Sequence, residues 1–509
     1  MRRGAFPKKN YLSAVIAAAL LPSAAHAVSL NPDGLGQALI YPYYTVRSAG
    51  GNAFHTYLSV GNSTSDAKAL RVRIREGRNG REALSFNLYL GPNDLWAGAV
   101  VPTAEGAQLL TTDTSCTDPP FANNALALRR DGFSGAQADG SGDTLDRTRE
   151  GYVEILEMAT LTGESRNAVT HNNAGVPVNC TAIRATSAPS VAPPSGGLWG
   201  TLTLINVNNG QDFTLDATAL DSLASRSYFR PPADPYPDFA ATEIDPVSVV
   251  IKKGIDTSYM PPDRSIFNTN YLYRSTWSRP QDAVSAVLMS HYWSAEYTID
   301  PETASATDLV VTLPTRHYYV TAGGSTAPFN GRSGWSPTCD VAGASQLGEF
   351  LSRISFNRES GSFFPCSPFP GLPCPAIAAS ICAASAVASL LPMGQPSDAT
   401  SSSVFGSTNL GLAAGDGRWT ALGAGGWIVI ATTSAAATAL GLGSLPTSVR
   451  VNLDTGETLT GRHTFFGLPA VGFFARTFNN GRLSCSGAVC QGTYGSAFPM
   501  RHSRGLVVP

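Results

Sequence analysis

Asp139-Gly-Ser-Gly-Asp143, followed by Asp146 and Glu150, sets side-chain oxygens at positions 1, 3, 5 and 12 of an EF-hand-like spacing. That donor set suits a hard cation, so Asp139, Ser141, Asp143 and Glu150 are candidate calcium ligands. Thr144 stands where the sharp turn calls for glycine, and the flanks do not read as helices; a solvated acidic loop is the competing reading. A second chemistry is stacking. Tyr41, Tyr43, Tyr44, Tyr271, Tyr273, Trp277, Tyr292 and Trp293 form aromatic clusters that could hold sugar rings or a partner protein, because Tyr and Trp join large contact area to a polar handle. Aromatics are also preferred strand formers, so filling a β core is the alternative. The stripe Arg71, Arg73, Arg75 could bind an anionic polymer or simply face solvent.

Catalytic patterns fare poorly. No G-x-S-x-G elbow occurs; Gly132-Phe-Ser-Gly135 and Gly343-Ala-Ser-Gln-Leu-Gly348 have the wrong spacing. The histidines beyond the leader, His55, His171, His291, His317, His463 and His502, are scattered and form neither an i, i+4 pair nor H-E-x-x-H. Glycoside hydrolysis needs two carboxylates across one bond, but Glu154 and Glu157, three apart on an expected strand, point to opposite faces.

The elements expected to carry these groups are strands. In Leu70 to Glu76 the residues Leu70, Val72 and Ile74 share one face and the three arginines the other; after Gly77-Arg-Asn-Gly80, Leu84, Phe86, Leu88 and Leu90 continue the inward face. Phe54 to Val60 alternates likewise and puts His55 and Tyr57 outward. Further strands are expected over 152–158, 201–207, 213–220, 247–251, 292–299, 309–313, 427–432 and 449–453. One helix is expected over 280–289, with Ser278 as cap and Pro280 in its first turn. The uncharged, alanine-rich 376–391 is expected to form a helix stapled through Cys382. The fold class that follows is mainly β, an antiparallel Ig-like β-sandwich with long loops and few short helices.

Residues 1–27 read as a removable export signal: Arg2, Arg3, Lys8 and Lys9, then apolar Leu12 to Leu21, then Ala25-His26-Ala27, so the mature chain is expected to begin at Val28 by the general secretory route. The leader takes four of the 35 basic residues and none of the 37 acidic ones, leaving 31 against 37. A net negative chain without a basic cluster argues against a nucleic-acid partner. Eight cysteines, all beyond the leader, imply disulfides in an oxidising compartment. Cys485 with Cys490 and Cys116 with Cys180 are the expected bridges; Cys339, Cys366, Cys374 and Cys382 cannot be ordered by spacing. A Pro-rich connection, 228–263, divides an expected N-terminal β-sandwich, 28–227, from a C-terminal β-rich domain, 264–509. Gln395 to Thr408 reads as a second, Ser-rich soft segment.

Gly34-Leu-Gly-Gln-Ala-Leu-Ile-Tyr-Pro-Tyr-Tyr-Thr-Val-Arg47, Ala306 to Tyr319 and Leu468-Pro-Ala-Val-Gly-Phe473 resemble stretches of a group of uncharacterised secreted or surface proteins of Gram-negative bacteria. The resemblance implies export, with no activity, cofactor or catalytic residue attached. The expected function is therefore a non-catalytic, structural or adhesive binding protein of the periplasm or cell surface, not an integral membrane protein, with carbohydrate or protein as partner and no cofactor beyond the calcium considered above. The alternative is a secreted polysaccharide hydrolase whose carboxylates converge from separate strands. Two carboxylates facing one aromatic cleft would favour the enzyme; an open aromatic patch would favour binding.

Overall fold

The computed structural model describes residues 26–49, 51–186, 188–252, 270–321, 324–329, 349–359, 362–363, 379–392, 403–409, 418–432, 442, 446–485, 488–504 and 507–508. Residues 1–25 of the expected leader, Cys339, Cys366, Cys374 and the side chains of Cys485 and Cys490 lie outside them.

Strands dominate because period-two patterning does. Ala67–Glu76 and Glu82–Leu90 form the expected hairpin, with Leu70 opposite Leu88, Val72 opposite Phe86 and Ile74 opposite Leu84. The Glu76 carboxylate accepts the backbone N–H groups of Arg78, Asn79 and Arg81, which closes the turn from within. This hairpin belongs to an eight-stranded antiparallel sheet in the order Ser29–Leu30, Thr218–Asp221, Ala38–Thr45, Glu150–Leu161, Ala67–Glu76, Glu82–Leu90, Cys116–Asp118, with Val191–Ala192 attached to Glu150–Leu161. A six-stranded sheet runs Ala125–Ala127, Ala107–Leu110, Leu95–Pro102, His55–Asn62, Leu198–Asn206, Gln211–Asp216. One hydrophobic cluster fills the space between them: Leu39, Tyr41, Val72, Phe86 and Ile155 from the first sheet meet Leu58, Trp96, Val100, Leu202 and Phe213 from the second. The chain is thus mainly β, as expected, with open sheets packed face to face.

Three further large sheets are built from strands beyond residue 246. A five-stranded sheet (Arg418–Ala421, Ser385–Pro392, Ala306–Thr312, Val471–Cys485, Ala488–Pro499) and a seven-stranded one built around Glu349–Asn357, Gly425–Ala431 and Met289–Thr298 stand beside a four-stranded sheet of Val247–Lys252, Tyr271–Thr276, Thr447–Asn452 and Thr458–Arg462. The helix Pro280–Leu288 packs among them. Its first residue is Pro280, but its N-cap is Arg279, not Ser278, and the cap makes no side-chain bond. Instead Arg279 pairs with Asp282 at 2.8 Å, an acid placed in the first turn where the helix dipole favours it.

Three expectations gain structural detail, two of them as corrections. The segment 376–391 is not a helix where it is described: Ala379–Ile381 and Ser385–Pro392 are strands, and the second is central, flanked by Ala306–Thr312 and, in parallel, by Arg418–Ala421. Residues 381–391 are buried throughout, so no alternation betrays the strand; small Ala and Ser side chains suit a strand covered on both faces. Cys382, between the two strands, is disulfide-bonded. Secondly, residues on the two sides of the Pro-rich connection pack against each other. Val28, Ile40, Leu156 and Met158 share one cluster with Val284, Leu288, Leu309 and Phe474, and Tyr228, Phe239 and Ile244 of the connection belong to it. Thirdly, the end of the soft segment, 403–409, is a plug: Phe405 is fully buried among Tyr43, Phe54, Phe213 and Phe473, with ring centroids 5.2 to 6.0 Å away.

The Cys116–Cys180 disulfide is present and ties the edge strand Cys116–Asp118 to the helix Cys180–Ala185. Cys485 and Cys490 sit on opposite arms of a hairpin, where Cys485 pairs with Ala488 and Cys490 with Leu483.

Candidate functional site

Most of the sequence-predicted stacking residues are core. Tyr41, Tyr43 and Tyr44 are fully buried, and their hydroxyls donate inward to the carbonyl of Ser59, the carboxylate of Glu150 and the carbonyl of Thr148. Tyr273, Trp277 and Trp293 are also buried, with the Trp277 indole N–H donating to Ser248. Tyr271 and Tyr292 are half-buried; Lys252 and Arg450 lie over the Tyr271 ring. The eight do not form one platform.

The proposed calcium loop is filled by guanidinium groups. Arg147 grips both Asp139 oxygens at 2.8 and 2.9 Å and reaches Glu76 at 3.0 Å, while Asn79 donates to Asp139 and to the Ser141 hydroxyl. Asp143 is exposed. Glu150 is turned elsewhere, taking Arg47, Tyr43, Ser407 and Thr408 as donors. Asp139 and Glu150 therefore do not share one coordination sphere, and among the described residues no group of three or more His, Cys, Asp or Glu side chains could hold a metal. The arginine-matched network locks the 139–150 loop to the hairpin turn and to the 403–409 plug.

The arginine stripe is not a solvated face either, because the Pro-rich connection covers it. Arg71 donates to the carbonyls of Arg230, Pro231, Pro232 and Asp234, and Arg73 to that of Pro235. Proline has no N–H of its own, so its carbonyl-rich chain takes donors from side chains. Arg75 pairs with Glu154 at 2.7 Å. Glu157 lies on the other face of the sheet with Lys68 at 2.9 Å, so the two glutamates do not meet, as expected.

His317, next to Tyr152, sits against this stripe. Desolvation first, then Arg75, Arg73 and Arg81, hold its imidazole well below the ordinary value. An imidazole neutral when folded but free to protonate when unfolded contributes stability above about pH 6.5, and loses it as pH falls further. His317→Gln is therefore expected to flatten the decline of the urea midpoint between about pH 7 and 5 relative to wild type. Parallel curves for the two proteins would count against that assignment.

An open trough that the spacing of motifs did not reveal lies on the outer face of the six-stranded sheet. Its volume is about 520 Å³, and its lining includes Tyr57, Ser59, Ala97, Ala99, Thr201 and Thr203, with Asn123 and Asn124 at the rim. Cross-strand pairing builds it row by row: Ala97, Ser59 and Thr201 lie side by side, and so do Ala99, Tyr57 and Thr203. Alternation turns Leu58, Trp96, Val100 and Leu202 into the core and these residues outward. Tyr57 stands 46 % exposed over neighbours too small to cover it. Ser59 and Thr201 hydrogen-bond each other at 3.0 Å, which leaves hydroxyl capacity for a ligand. Asn123 and Asn124 both have positive φ in a turn closed from the Ala125 N–H to the Ala122 carbonyl, a type I′ geometry that favours Asn. On the same face Trp199 lies flat on Gly61, where any Cβ would come within 2.4 Å of the indole. The lining carries no charged or imidazole side chain.

Fold and trough together define a β-sandwich protein with an uncharged, hydroxyl-lined trough on one outer face. Comparison with known protein families, with curated proteins and with solved structures finds no match to this chain. No helix among the described residues is long and apolar enough to cross a membrane.

Proposed function

We propose that this is an exported, non-catalytic binding protein of the periplasm or cell surface that holds a neutral glycan chain in the trough around Tyr57. The observation that carries the reading is the lining itself. An exposed ring offers a stacking face, hydroxyls and amides flank it, and the lining itself holds no carboxylate or imidazole; Asp216, beside Thr201, and His55, two residues before Tyr57, stand on the same face outside it, with no second carboxylate in the lining to complete a hydrolytic pair. The lining itself gives an ionic partner no charge to pair with. Export is supported by the signal-like leader, by the Cys116–Cys180 disulfide and by the resemblance to secreted proteins.

The test is affinity electrophoresis of the mature protein against soluble neutral glucans, mannans and galactans. Wild type is expected to be retarded by at least one of them, and Tyr57→Ala to weaken that affinity by about tenfold or more, which is about 1.4 kcal/mol. Its melting temperature should hardly move, since the ring is exposed. Absence of retardation by every neutral glycan, or equal retardation of Tyr57→Ala, would defeat the reading.

A further inference from the structure

A second and larger cleft, of about 800 Å³, opens among the C-terminal sheets and has the opposite character. One wall is the seven-stranded sheet, where Phe356, Trp427 and Glu296 lie side by side across three strands, and Arg501 pairs with Ser294 on a fourth. The other wall is the hairpin of Val471–Cys485 and Ala488–Pro499, which presents Phe474 and Phe498 directly opposite each other, with Arg476 5.0 Å over the Phe498 ring. Trp427 stacks on Phe356 at 4.3 Å and 12°, so its ring is held flat. Arg358 packs against Gly425, where a Cβ would meet its guanidinium at 2.7 Å.

Three arginines, Arg358, Arg476 and Arg501, thus face one acid, Glu296, which is already engaged with Arg476 at 3.3 Å. Such a surplus calls for an anion, and a planar guanidinium matches a carboxylate in two parallel bonds. The rigid Trp427 and the 40 % exposed Phe498 call for a flat apolar ring face on the same ligand. Glu296, standing beside Trp427, would accept hydroxyls but repel a multiply charged phosphate. We infer that this cleft binds a carboxylate-bearing sugar residue, the unit of an acidic polysaccharide. The site is separate from the trough around Tyr57 and does not depend on it.

Titration calorimetry with trigalacturonate, galactotriose and ATP decides the matter. Trigalacturonate is expected to bind at least about tenfold more tightly than either of the others, since a charge-assisted bond contributes about 1.5–3 kcal/mol. Arg358→Gln and Arg501→Gln, both at exposed positions, are each expected to lower that affinity about tenfold while the melting temperature holds. Tyr57→Ala should leave it unchanged, which separates failure here from failure of the neutral-glycan reading. Equal binding of galactotriose, tighter binding of ATP, no binding of trigalacturonate, or indifference to both arginine changes would each overturn the inference.

Discussion

Lys68→Met should destabilise the protein by about 3–5 kcal/mol at neutral pH, the usual cost of stranding one member of a buried ion pair. Lys68 and Glu157 are both completely buried, and all three ammonium protons are used, on Glu157, the Ser195 hydroxyl and the Gly196 carbonyl at 2.7 to 2.9 Å. Glu157 is held further by the N–H groups of Ser195 and Gly196. Burial already pushes this carboxyl up against the pull of Lys68; without the lysine it would rise further. A raised carboxyl is stable when protonated, so the deficit of the variant should be largest near pH 8 and shrink as pH falls toward about 4.3, the value of an unfolded Glu. Urea midpoints of both proteins across that range measure it. A loss under about 1 kcal/mol that does not vary with pH would show that the pair is not the buried, desolvated bridge described.

Phe405→Ala is expected to cost about 3–5 kcal/mol, the transfer and cavity cost of emptying a buried phenylalanine site. The ring touches residues of both halves of the chain, Tyr43, Phe54 and Phe213 on one side and Phe473 on the other. Its segment is pinned at both ends: Ser403 and the Phe405 N–H bind Asp308, and Ser407 and Thr408 bind Glu150. Hydrogen exchange should therefore quicken together in Ala38–Thr45 and Ala306–Thr312. Faster exchange in the C-terminal strand alone would mean that the halves fold as separate units after all.

Much of this architecture was legible in particular residues. Leu70, Val72 and Ile74 against Arg71, Arg73 and Arg75 announce a strand, and Pro280 announces a helix start, because each pattern has a local cause. Alternation, however, says that two faces differ and not what covers the second. The arginines looked solvated because the Pro-rich chain that covers them is contributed from 160 residues away. Residues 381–391 carried no alternation, since both faces are buried. The trough is hidden in the sequence for a related reason: along Leu95–Pro102 the outward Ala97 and Ala99 are as apolar as the inward Trp96 and Val100, so the strand shows no contrast. Clustering singles out Tyr41, Tyr43 and Tyr44, all buried, whereas Tyr57, placed outward by alternation, reaches solvent. The acidic loop resembled a cation site because spacing shows where oxygens lie in the chain, while Arg147, which claims them, reads as one more surface charge.

The proposed role is to hold a glycan without cutting it. Incubating the mature protein with a neutral glycan that retards it, and measuring bound glycan and new reducing ends in the same sample, is the most direct test. Retention at unchanged chain length, released by Tyr57→Ala, is the predicted result; accumulating reducing ends that vanish with the purified protein omitted would contradict it.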